Sequence, residues 1–197
     1  MTMPTFESGM PQSMYTLSSL RVARWDGTNY GDTVLLAEGQ TLQFTPQADT
    51  DEKKAYGRMM RLLTVFTHVN FNIGVGLVQA NAIWVMTGLA QAVSGTSGAA
   101  DATQRLGFDA GGAGLPYFGV VGTFSSDDNG DVAMGIPLCK LDTIPSLSSE
   151  QNQFILPDSA GKGIANSASS TPRRGLFIDQ RKVAADVLDF DAFFGIS

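Results

Sequence analysis

Between Thr41 and Ile73 the chain alternates twice, with a charged stretch in the middle. In the first run Leu42, Phe44 and Pro46 fall on one side and Thr41, Gln43, Thr45 and Gln47 on the other. A period of two places such sets on opposite faces of a β-strand. The second run, Arg61 to Ile73, is longer. It sets Leu63, Val65, Thr67, Val69, Phe71 and Ile73 against Leu62, Thr64, Phe66, His68, Asn70 and Asn72. Two antiparallel strands are expected, joined by a loop from Ala48 to Met60. That loop passes from acidic (Asp49, Asp51, Glu52) to basic (Lys53, Lys54, Arg58).

The rest of the chain reads as further short strands and two short helices. Leu20 to Trp25 forms a strand ended by the turn-rich residues 26–32, and Val34 to Ala37 is a short apolar piece. Leu77, Ala80, Ile83 and Trp84 recur at helical spacing, which predicts a helix from Leu77 to a capping Gly88. Ala90 to Gly114, rich in small residues, predicts no element. Pro116–Ser125 and Asp131–Leu141 form a hairpin whose turn ends in Asn129-Gly130, a pair suited to positive dihedrals. Gln153–Leu156 and Leu176–Gln180 read as short strands, with a flexible connection from Ala160 to Arg174 between them. Val183, Val187, Phe190 and Phe194 follow helical spacing, so a short terminal helix packs on its own domain or across a neighbour. Met1 to Ser19 is aperiodic and reads as an arm ordered by docking on a neighbour. The domain plan is an arm (1–19), a β domain (20–182) and a C-terminal arm or helix (183–197).

Composition changes the meaning of the two long strands. Their polar faces use Thr, Gln, Asn and one His, with almost no charge. That suits either an ordinary strand face or a wet surface that does not hold a passing polyanion. Charged residues are 16% of the chain and hydrophobic ones 43%, against about 25% charged in ordinary domains. Weakly polar surface of this kind is expected to be buried between subunits, as in an obligate oligomer. A net charge of -6 argues against a protein that grips nucleic acid through a basic patch. Cys139 is the single cysteine, so neither a disulfide framework nor a cysteine zinc site is available. No secretory leader and no membrane-length apolar run is visible, which predicts a chain made in the cytoplasm.

The usual catalytic patterns are missing. One histidine excludes a histidine-rich metal site, and no Gly-x-Ser-x-Gly turn presents a nucleophile. Gly161-Lys162-Gly163 lacks the Ser or Thr that should follow a phosphate-loop lysine. The acidic turn 127–131 lacks calcium-loop spacing and its terminal Glu. No catalytic residue, metal or cofactor is assigned.

Leu20 to Ala23, the turn Trp25-Asp26-Gly27 and Thr41 to Pro46 open a distinctive order of elements. The loop Asp49 to Glu52, the strand Arg61 to Ile73, the helix to Gly88, Pro116-Tyr117-Phe118 and the Asn129-Gly130 hairpin continue it. In that order, over roughly residues 20–156, the chain resembles the major tail tube proteins of long-tailed bacteriophages. The resemblance implies a mainly β fold, a two-sheet β-sandwich or barrel with one short flanking α-helix. It implies hexameric rings stacked into the hollow tube of a virion tail, assembled in the host cytoplasm. Genome DNA would pass through without specific binding, and tape-measure, tail-terminator and distal tail proteins would be partners. On this reading Thr41, Gln43, Thr45, Gln47, Thr64, His68, Asn70 and Asn72 are lumen-lining candidates. Asp49, Asp51, Glu52, Lys53 and Lys54 are candidates for an inter-ring loop. A secretion-system tube protein shares this architecture. A β-sandwich binding module is a further alternative, although Trp25 and Trp84 fall at a strand end and on the helix stripe.

Overall fold

The computed structural model describes residues 16–36, 39–55, 58–75, 80–95, 100, 102–107, 114–125, 131–143, 148–150, 153–170, 175–181 and 187–196. Its strands, in chain order, are β1 (Thr16–Arg24), β2 (Val34–Leu35), β3 (Gly39–Ala55) and β4 (Arg58–Val75). After helix α1 (Ala80–Thr87) come β5 (Ala90–Ser94), β6 (Thr103–Gly107), β7 (Phe118–Ser125) and β8 (Asp131–Leu141). Strands β9 (Ser148–Glu150), β10 (Gln153–Ile164) and β11 (Phe177–Arg181) precede helix α2 (Phe190–Phe194).

The architecture is mainly β, built on one antiparallel sheet with the path β2-β1-β7-β8-β10-β4-β3. Strand β8 is long enough to hold two partners along one edge. Strand β11 pairs with its residues 131–135, and β10 with residues 138–141. The sheet curls. In a flat sheet β7 and β4 would stand about 14 Å apart, three strand spacings. Instead the Phe71 and Phe118 rings meet edge to face with centroids 6.0 Å apart, and Leu42 of β3 seats on Gly122 of β7. Inside the curl lie Leu20, Val22, Val69, Phe71, Ile73, Phe118, Val120 and Ile136, closed by Ala82, Val85 and Met86 of α1. Helix α1 ends at Gly88, whose φ of 67° lies in the left-handed region that glycine reaches freely.

The reverse face of β1, β7 and β8 is also covered. Ala23, Val121 and Ala133 pack there against Phe190 and Phe194 of α2, with Tyr30 and Val187. Asp189 caps α2 by accepting from the Ala192 N–H at 2.9 Å. The Ser170 N–H donates to the Gly195 carbonyl, and Ser169 Oγ to that of Phe194. The terminal helix therefore packs on its own domain, not across a neighbour.

Several expectations need correction. Residues 48–55 and 58–60 are strand, not loop: β3 and β4 simply continue to a hairpin end at 56–57, outside the described residues. Strand β1 opens at Thr16, which pairs with Ser125, so 16–19 belong to the sheet and not to an arm. The segment from Ala90 holds the hairpin β5–β6. Strand β10 runs on to Ile164, through residues read as a flexible connection. The β7–β8 hairpin stands as expected, with its turn outside the described residues; so are 1–15 and the first residues of both expected helices, 77–79 and 183–186.

Candidate functional site: an open polar face and a projecting arm

Beyond the reach of α2, the reverse face of the sheet continues across β8, β10, β4 and β3 and stays open. The strand register lays its residues out in rows. One row is Thr45, Asn70, Lys162 and Lys140. The next holds Gln43, Asn72 and Ala160, with Asp142 beside Ala160 through its backbone N–H. Gln47 and His68 form a third. Thr41 pairs with Gly74, so it too falls on this face. The His68 ring packs beside its neighbour, with Nδ1 3.0 Å from Thr67 Oγ1. An open depression of about 350 Å³ lies among Gln43, Thr45, Asn70, Asn72, Asp142 and Lys162. Asn72 Oδ1 is buried there without a hydrogen-bond partner among the described residues.

Seven of the eight lumen-lining candidates share this face; Thr64 does not. At Thr67 the register slips, because Gln47 pairs with His68 while Ala48 pairs with Phe66. This β-bulge inserts one residue into β4 and exchanges its faces below that point. Thr64 consequently stands opposite Thr50 on the other side, with its Oγ1 3.1 Å from that of Thr50. The same slip turns Val65 and Leu63 onto the face of Gln47 and His68. Sequence alternation cannot see a bulge, since it counts residues and assumes the period holds.

The polar face is also not free of charge. Lys162 and Lys140 are directly opposite each other across β10 and β8. Lys162 is exposed, and Lys140 extends its ammonium over the Tyr117 ring, 5.2 Å from the centroid. Sequence reading missed both because they lie outside the two alternating runs. The missing signal was the pairing order, which brings β10 beside β4.

Below Val69, β4 has no partner but β3 among the described residues. The Phe66 ring still lies against Gly175, next to β11, and residues 58–65, at about 3.3 Å each, carry the hairpin roughly 26 Å further. Asp49, Thr50, Asp51 and Glu52 are exposed on it. So are Leu63, Val65 and Phe66, at 43%, 51% and 41%. Asp49 pairs with Val65 and Asp51 with Leu63, so acidic and apolar groups alternate across one face. Glu52, Lys53 and Lys54 occupy the register positions opposite Leu62, Arg61 and Met59. The inter-ring candidates therefore lie on a two-stranded arm.

Among the described residues no group of His, Cys, Asp or Glu is arranged to hold a metal ion. No helix of the described residues is long and apolar enough to cross a membrane. Burial pushes the Cys139 thiol well above its usual range. A scan against models of known protein families returned no match, and neither did a comparison with curated protein sequences.

Proposed function

We propose that the chain is a tube-forming structural protein of the long-tailed phage tail kind, without catalytic activity. In this reading the curled sheet is the wall unit, of sandwich or barrel type, of a ring that stacks into a hollow tube. The open polar face of β3 and β4 looks into the lumen, and the arm reaches the adjoining ring. The observation that carries the reading is the arm itself. A hairpin that extends roughly 26 Å past its contact with the body while exposing Leu63 and Val65 leaves apolar surface and open strand edges in water. Both are liabilities in a monomer and binding surface in an assembly. A contact that repeats from copy to copy without closing generates a filament. Partners are further copies of the chain, with the tail proteins that cap and measure a tube, and DNA as the passing cargo.

Negative-stain microscopy of the purified full-length protein tests this directly. Rings or tubes are expected; a strict monomer at high concentration overturns the reading.

A further inference from the structure

We propose that Lys140 and Lys162 form a phosphate-contact point for duplex DNA on the open polar face. The inference rests on the reading that this face lines a lumen, and assigns a role to the lysine pair among its amides and hydroxyls. Like charges directly opposite each other disfavour a sheet, yet these two lysines occupy paired positions on neighbouring strands. The Tyr117 ring draws the Lys140 ammonium to one side, which leaves Lys162 exposed at the middle of its row. Two cations rooted at paired positions but parted at their tips suit an extended anion that spans both.

The surroundings fit a phosphodiester. Thr45 and Asn70 continue the same row, and hydroxyl and amide groups donate to phosphate oxygens without reading base sequence. Asp142 lies one row away, beside Ala160, and the chain as a whole carries a net charge of -6. Affinity is therefore low and strongly salt-dependent. A polyanion would touch such a row and move on. In a ring, every copy would bring one lysine pair to the same height, with Asp142 one row away.

The test mixes the full-length protein with fluorescent duplex DNA and follows anisotropy across a salt series, with microscopy of the same samples. The expected result is weak binding near 20 mM salt that vanishes near 200 mM. Lys140→Gln with Lys162→Gln should weaken it at least tenfold and lower the salt slope by about 2, one unit per lost phosphate contact. Lys162→Arg should retain it. Absence of binding in the natural protein, or equal binding in the double variant, overturns the proposal. Loss of tubes in the double variant with DNA binding unchanged also overturns it, and assigns the lysines to contacts between copies. Lysine-dependent binding without any rings or tubes supports the phosphate contact and removes the tube reading instead.

Discussion

Tyr30 joins three parts of the molecule through one side chain. Its hydroxyl donates to the Pro137 carbonyl, its N–H donates to Asp191, and its ring packs on Trp25, Phe190 and Phe194. Burial, more than the nearby charges, raises the phenol far above its ordinary range. The unfolded chain therefore releases this proton first, near pH ~10. The resulting stability is complete below that pH and is lost as pH rises toward the folded value. Tyr30→Phe should cost about 1–3 kcal/mol near neutral pH, because the Pro137 carbonyl loses its donor. Urea titrations from about pH 8 to 11 should show a shallower alkaline loss in the variant than in the natural protein; equal slopes would remove Tyr30 from the titration. Close packing elsewhere depends on missing side chains. A Cβ on Gly161 would run into the Lys140 carbonyl oxygen and the Phe71 ring, and one on Gly163 into Ile136.

At the level of elements, the proposed tube reading predicts that the arm serves assembly and not folding. Among the described residues it adds none to the main core, whose β4 members begin at Val69. Replacing residues 48–66 with a two-residue Asn-Gly turn should leave thermal unfolding within a few degrees of the natural protein while abolishing assembly. Calorimetry and light scattering on one preparation would check both; undiminished assembly would take the stacking role from the arm. Much of this level was legible in the sequence. The strands at Leu42–Pro46 and Val69–Ile73 and the β7–β8 hairpin declare themselves by period and turn chemistry. So does the presence of α1, although its core face is Ala82, Val85 and Met86 and not the expected stripe through Ala80, Ile83 and Trp84. Charge misled at Ala48–Met60, where residues typical of a solvated loop lie on strands, exposed at 48–52. Small residues misled at 160–164 for the opposite reason. There glycine permits the close approach of β8 and Phe71 and signals packing, not flexibility. The face of Thr64 hinged on the bulge at Thr67, and the lysine pair on long-range strand order; neither has a local signature.

For the whole molecule, the order of pairing matters as much as the pairs. The first strand is bound to β7 about a hundred positions later, with Thr16 opposite Ser125 and Arg24 opposite Phe118. Tyr30 reaches Asp191 across 161 positions. Contacts this distant in sequence slow folding to the millisecond-to-second range. Stopped-flow refolding of the full-length chain should fall there, and a microsecond transition would contradict the topology.

The placement of β1 has a consequence during synthesis. A ribosome will have made the arm long before β7, and a hairpin closes within about 1–10 μs. The apolar side chains of the arm are thus displayed while β1 still lacks its main partner. Emerging copies on neighbouring ribosomes can meet through their arms before any of them has a finished body. Output of folded protein should then fall as translation becomes crowded, which makes expression rate itself a control on this protein's yield.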